Sequence, residues 1–266
     1  MRRRALPSRL LACCLLWVGI IAAATATDDA AKGLAIAEEA DRRDDGWGDE
    51  RATLEMVLRN RQGQESRRTL DIAKLEVADD GDRSLTVFDT PRDVAGTALL
   101  TYSHALTPDD QWLYLPALKR VKRIASANKS GPFVGSEFAY EDLGSSEVDK
   151  YAYRWLRDET FDDRPCFVVE QRPRYAHSGY TRRIVWLDQA MYQPLKVEFY
   201  DRKDALLKTL VARGHRQFLD RYWRPAEMEM VNHQTGRSTR LAWREYRFRT
   251  GLTARDFDQN TLKRAR

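Results

Sequence analysis

The chain has 266 residues, 42% hydrophobic and 10% aromatic, which is enough for one sizeable core and too short for several. Its 45 Lys and Arg against 40 Asp and Glu give a formal charge of +5, but Arg2, Arg3, Arg4 and Arg9 stand in the first nine residues and leave 41 basic against 40 acidic side chains in the remainder. A near-neutral body excludes a general polyanion-binding surface, so nucleic acid is not an expected partner.

The four arginines precede an apolar run from Leu10 to Ala24, and Ala24-Thr25-Ala26 supplies the small residues of a cleavage site. This pattern predicts a secretory signal peptide over 1–26 and one mature domain over 27–266. At about 15 residues the run falls short of the roughly 20 that a membrane-spanning helix needs. Leu10-Leu11-Ala12-Cys13 superficially resembles a lipoprotein processing box, but the apolar region follows the cysteine, which argues against a lipid-anchored form. Cys13 and Cys14 leave with the leader. Cys166 then stands alone in the strand-like run Cys166-Phe167-Val168-Val169, with no disulfide partner, and reads as a small buried residue.

From Asp28 to Arg43, Ala31, Leu34, Ala35 and Ala37 give a modest helical pattern with a narrow apolar stripe, suited to lying on a surface. Gly46-Trp47-Gly48 ends it. The period then changes to two. Leu54, Met56 and Leu58 alternate with polar residues, and Arg61 to Gln64 turns the chain into a strand over 67–77. Asp79 to Asp82 turns again into Ser84 to Phe88, and another strand follows over 97–102.

The stretch from Asp109 to Leu143 is the densest in features. Trp112 and Tyr114 alternate with Leu113 and Leu115, as on a strand covered on both faces, and Pro116 stops the ladder because it lacks an N–H. Lys119, Arg120, Lys122 and Arg123 follow. After Gly131-Pro132 come Phe133, Phe138 and Tyr140, an unusual amount of apolar surface for a loop.

Further strands are expected around Tyr151–Trp155, Cys166–Arg172, Ile184–Trp186, Val197–Phe199, Leu206–Gly214, Met228–Met230 and Leu241–Trp243, with a short helix over 253–264 that turns Phe257 and Leu262 inward. About eleven strands joined by hairpin-length turns predict a mainly β (α+β) fold built on one large antiparallel sheet. Strand–helix–strand alternation is missing, which excludes a doubly wound parallel fold. Such a sheet must curl. One face is expected to carry Met56, Leu58, Val87, Tyr153, Trp155, Trp186, Phe199, Met228 and Met230, too apolar for water. Either it closes on a side-chain-filled core, or it stays open under the N-terminal helix and the loop over 116–143.

Reactive chemistry is sparse. The four histidines, His104, His177, His215 and His233, lack metal-ligand spacing, so no metal or other cofactor is expected. Ser103, His104 and Asp109 can be drawn as a hydrolytic set, but Asp109 and Asp110 read as turn residues after Pro108, and no enzyme is expected. The cluster Lys119, Arg120, Lys122, Arg123 has two readings: a strand edge protected by charge, or a contact for anionic phospholipid head groups. Asn128-Lys129-Ser130 matches a glycosylation sequon, a signal too short to carry weight.

Several motifs together resemble a known family: Gly33 to Ala37 with Arg42 to Asp49, Gly96 to Leu100, Asp110 to Pro116, Asn128 to Phe133, and Gly135 to Phe138. They are similar to the bacterial outer-membrane lipoprotein-sorting proteins, LolA-like and LolB-like exported proteins, over essentially the whole mature chain. The resemblance implies an incomplete β-barrel with helices and a loop over its open apolar face. It also implies a periplasmic location and a non-enzymatic carrier of lipid or lipoprotein acyl chains. The expected cavity residues are Met56, Leu58, Val87, Trp112, Tyr114, Tyr153, Trp155, Trp186, Phe199, Met228 and Met230. Phe133, Phe138 and Tyr140 form a flap, and Lys119, Arg120, Lys122 and Arg123 make a transient membrane contact. Family members are often associated with inner-membrane exporters of the resistance-nodulation-division (RND) type, which adds a possible partner and an alternative role as an adaptor of such a system. The family carries no agreed catalytic residue.

Overall fold

The computed structural model describes residues 15–78 and 80–263, with side chains from residue 27 onward. Residues 1–14 of the expected leader, Asp79 of the expected turn and Arg264 at the end of the expected C-terminal helix lie outside the described residues.

A helix, α1 (Leu15–Asp44), leads into six strands: β1 (Asp49–Arg59), β2 (Glu65–Leu75), β3 (Arg83–Thr90), β4 (Ala98–Tyr102), β5 (Asp110–Leu115) and β6 (Arg120–Arg123). An irregular stretch follows. The chain then forms β7 (Tyr151–Phe161), β8 (Arg164–Pro173), β9 (Arg182–Asp188), β10 (Pro194–Tyr200), β11 (Leu206–Arg213), the short pair β12 (Arg216–Phe218) and β13 (Tyr222–Arg224), β14 (Glu227–Asn232), β15 (Arg237–Phe248) and a one-turn helix α2 (Gln259–Leu262).

Thirteen strands make one sheet in the order β6-β5-β4-β3-β2-β1-β15-β14-β11-β10-β9-β8-β7, and β12 pairs with β13 apart from it. The edges β6 and β7 do not meet, so the barrel is incomplete. Tight turns set the register. Asn60 Oδ1 accepts from the amides of Gln62 and Gln64 between β1 and β2, and Asp162 and Asp163 both take positive φ between β7 and β8, as two-residue hairpin turns require. Arg120–Arg123 form the edge strand β6, in line with the strand-edge reading of that cluster, while the unexpected β12 and β13 have three residues each, too few for a period to show.

Cross-strand register sorts side chains onto two faces. Leu54, Leu70 and Phe88 are successive partners on the inner face, and Leu99 with Leu113 continue it. All five belong to the main buried cluster, with Met56, Val169, Val185, Val197, Phe199, Met230 and Leu241. The outer face has two smaller clusters. One, around Ala98 and Leu100, is closed by Leu252, Phe257 and Leu262 of the C-terminal segment, the last two fully buried as expected. The other gathers Cys166, Val168, Ile184 and Trp186. Cys166 is a buried free thiol whose pKa burial pushes up to about 11, which makes it inert as a nucleophile at neutral pH.

Three elements cover the inner face. Helix α1 crosses the β7 edge with Ile36 buried and Ala40 packed on the main cluster. Residues 129–145 lie across the centre, and the β12–β13 hairpin sits over the far end, where Phe218 packs on Tyr246 and Phe248. Arg224 of this hairpin bonds to Asp44 at 2.6 Å and to buried Glu50 at 2.9 Å. Burial would raise the Glu50 pKa, but Lys74 and Arg224 outweigh it and hold the carboxyl below its ordinary value. The helix and central segment match the expected covers; the hairpin was not anticipated.

Candidate functional site

The inner face is built in rows that register makes explicit. One row runs Trp155, Val169, Val185, Val197, Leu210, Met230, Thr239, Leu58, apolar but for the threonine. The neighbouring row is different: Tyr153, Gln171, Arg183, Phe199, Lys208, Asn232. A third carries Met228, Leu241 and Met56.

Residues 129–145 fill the space above these rows. Phe133 is 1% exposed, with its ring 5.5 Å from Phe88 and 5.7 Å from Tyr140, and Phe138 is 5% exposed. The segment folds on itself, with a Phe133 N–H to Phe138 O bond of 2.7 Å and a single bridge between Pro132 and Ala139. Among the described residues it makes no backbone ladder with a strand of the sheet. Side chains from both halves of the sheet hold it instead. Arg68 donates to Val134 O (2.6 Å), Gln111 to Tyr140 O (2.9 Å), Asn232 to Glu137 (2.8 Å), and Thr239 Oγ1 accepts from Glu137 N (2.9 Å). Lys208 meets Asp142 at 2.7 Å in a buried ion pair and donates to Glu137 O at 2.9 Å. Tyr180 donates to the other oxygen of Asp142 at 2.8 Å, and burial pushes that phenol's pKa well up. Glu141 accepts from the Gly179 amide, Ser178 and Tyr175; burial, then the Asp142 charge, raises its pKa. Phe133, Phe138 and Tyr140, expected on a flap, thus lie on a strap buried inside the half-barrel and fixed at many points. Val134 within it takes φ 45, a left-handed conformation that costs a β-branched residue about 1–2 kcal/mol.

Of the expected cavity set, Met56, Leu58, Tyr153, Trp155, Phe199, Met228 and Met230 share the inner face. Val87, Trp112 and Tyr114 do not: they lie on the outer face against the C-terminal segment. Trp186 also points outward, beside Cys166 and Val168, with its indole N–H on Glu159. The reason is that both faces are covered at these strands, so residues of either parity are apolar. Half-buried apolar side chains remain on the inner face between the covers, among them Trp155, Leu210, Met228 and Trp243. Two surface basins of about 440 and 430 Å³ lie at its margins, by Gly135 with the β1–β2 turn and by Arg43 with the β12–β13 hairpin; polar side chains dominate both.

Arg120, Lys122 and Arg123 form the exposed edge strand β6, with exposed Lys119 just before it in a left-handed turn and Leu118 63% exposed. Arg123 pairs with Asp110. The cluster thus sits on the free sheet edge, away from the strap's buried anchors.

The Ser103, His104, Asp109 arrangement is structural. Ser103 Oγ accepts from the Ser145 amide, the His104 ring faces Asp80 (2.9 Å) and Asp110 (3.4 Å), and Asp109 holds Lys150 (2.8 Å). Among the described residues no group of His, Cys, Asp or Glu forms a metal-binding cluster, and no helix is long and apolar enough to cross a membrane.

A family model described as "uncharacterized protein" matches residues 80–264. No curated protein matches the chain. Among solved structures, a domain assigned to outer membrane lipoprotein sorting from Vibrio parahaemolyticus is 59% identical, with a TM-score of 0.87, over 88% of this chain and 99% of that one. A DUF1329 family protein from Desulfovibrio piger is 28% identical, with a TM-score of 0.84, over 88% of this chain and 99% of the other. A LolA superfamily protein from Nitrosomonas europaea shares the fold at 20% identity, with a TM-score of 0.68, over 85% of this chain and 97% of its own.

Proposed function

The chain belongs to the LolA-like outer-membrane lipoprotein-sorting proteins, and from that premise we propose that it is a periplasmic carrier that shields the acyl chains of a lipid or lipoprotein on the inner face of its half-barrel, for transfer toward the outer membrane. The observation that supports this reading is the strap. The apolar rows of the inner face are filled by a segment that, among the described residues, is fastened to the sheet through side chains, so cargo can replace it without breaking the sheet. Phe133 and Phe138 then occupy the space that acyl chains would take.

The physical need for such a site is large. Exposing one methylene costs about 0.8 kcal/mol, so a chain of roughly 15 faces on the order of 12 kcal/mol in water. Met56, Leu58, Tyr153, Trp155, Phe199, Met228 and Met230 are the proposed chain contacts. Strain at Val134 lowers the cost of leaving the closed state, and release follows when a receptor or membrane binds the open state better. No cofactor or turnover is required. Lys119, Arg120, Lys122 and Arg123 would contact anionic head groups, each charge contributing about 1 kcal/mol at the membrane surface.

The test is organic extraction of protein purified from the envelope, followed by mass spectrometry. A reproducible complement of acyl lipid is expected; protein that is always empty overturns the reading. One observation favours a second role, as an adaptor subunit of an inner-membrane RND-type exporter: the inner face is already packed by Phe133 and Phe138. Pull-down from native envelopes separates the two, because an adaptor stays bound while a carrier cycles.

A further inference from the structure

The row beneath the strap holds two cations and shares one carboxylate between them. Arg183 (β9) and Lys208 (β11) are both cross-strand partners of Phe199 (β10), so they flank the same ring on the inner face. Lys208, with its side chain 5% exposed, is neutralised by Asp142 of the strap, 7% exposed. Arg183 forms no ion pair among the described residues. One of its N–H groups goes to the Gln171 amide oxygen, its guanidinium lies 4.1 Å from the centre of the Tyr151 ring, and its Nε is buried with no acceptor. Nearby Glu141 is already committed to Gly179, Ser178 and Tyr175.

The balancing carboxylate thus belongs to the element that must move for cargo to enter. A buried charge left without a partner is strongly unfavourable, and a guanidinium fork with a free N–H is matched by the paired oxygens of a phosphate or carboxylate. We propose that the inner face is built for an acidic amphiphile: its oxyanion head seats between Lys208 and Arg183 where Asp142 sits in the closed state, while its chain replaces Phe133 and Phe138. The strap is then an internal mimic of cargo in both charge and apolar content. This rests on the carrier reading and adds the class of head group.

The full chain, freed of lipid, is titrated by calorimetry with decyl phosphate, with uncharged decyl glucoside and with inorganic phosphate, as wild type, Arg183→Gln and Arg183→Lys. Circular dichroism confirms that each variant is folded. Decyl phosphate is expected to bind at least tenfold tighter than decyl glucoside, and inorganic phosphate far more weakly. Arg183→Gln should remove the preference without changing glucoside affinity, and Arg183→Lys should keep part of it. Equal affinity for the two amphiphiles in every variant overturns the oxyanion site and leaves the carrier reading standing. Inorganic phosphate binding as tightly as decyl phosphate overturns the amphiphile and leaves a free-anion site. Failure of both amphiphiles to bind overturns the inference and the carrier reading together.

Discussion

Gly33 of α1 lies directly against the main chain of β7 at Trp155: a Cβ at this position would stand 2.7 Å from Trp155 N and 2.9 Å from Arg154 Cα. Both obstacles are backbone, and Lys32 alongside seats its ammonium 3.3 Å from the centre of the Trp155 ring. Gly33→Val should force the helix off the edge strand, with an overpacking cost of about 1–3 kcal/mol. At about 2–4 °C per kcal/mol for a domain of this size, Tm should fall by roughly 2–12 °C, and hydrogen exchange should rise in α1 and β7. An unchanged melt would mean that the helix does not dock there.

The Lys208–Asp142 pair is buried on both sides, so breaking it leaves a lone charge. Lys208→Met should destabilise the protein by about 3–5 kcal/mol in urea unfolding, and adding Asp142→Leu should recover most of the loss. If the double variant were as unstable as the single, lost packing and not the orphaned charge would be the cause.

Phe133→Asp and Phe138→Asp place a carboxylate in the strap's apolar seat. We expect faster amide exchange confined to residues 129–145, reduced lipid retention and a sheet that stays protected at β1 and β15. Loss of sheet protection would make the strap part of the core and would favour the adaptor role.

Asp82 sits where the strap rejoins the sheet, its amide 3.3 Å from Ser145 Oγ, and burial pushes its carboxyl up to about 7 from 3.8. The folded state therefore holds this proton more tightly than the unfolded state, so the group favours folding at low pH and loses that advantage as pH rises from about 4 through 7, by up to about 4 kcal/mol. Carboxyls lowered on folding, such as Asp49 and Asp188, act in the opposite sense. Comparing wild type with Asp82→Asn isolates the contribution: unfolding free energies across pH 4 to 8 should show the variant gaining relative stability as pH rises. A constant difference would refute the assignment.

Strand existence was legible because alternation is strong where only one face is apolar, and Met56 with Leu58 or Met228 with Met230 share a face as their spacing implies. Where the C-terminal segment covers the outer face, Trp112 and Leu113 are both apolar, and nothing local tells inner from outer. Trp186 between Val185 and Leu187 has the same ambiguity. Lys208 and Arg183 gave no signal, since a basic residue in a strand ordinarily faces water; only the register that sets both beside Phe199 marks them. The strap's aromatics stood out in the sequence, but their fastening depends on residues as distant as Arg68 and Asn232.

The strand order has a kinetic side. The two halves of the sheet, β1 to β6 and β7 to β11 with β14 and β15, are built from strands that follow one another closely in sequence, while the seam pairs Leu54 with Trp243 across almost the whole chain. Closing so long a loop is entropically costly and comes after local pairing. Each half should therefore gather first, with the β1–β15 pairing locking last, so the apolar face stays unjoined until nearly all of the chain is available. Pulsed exchange during refolding should find the amides that bond across the β1–β15 seam protected last; early protection there would contradict that order.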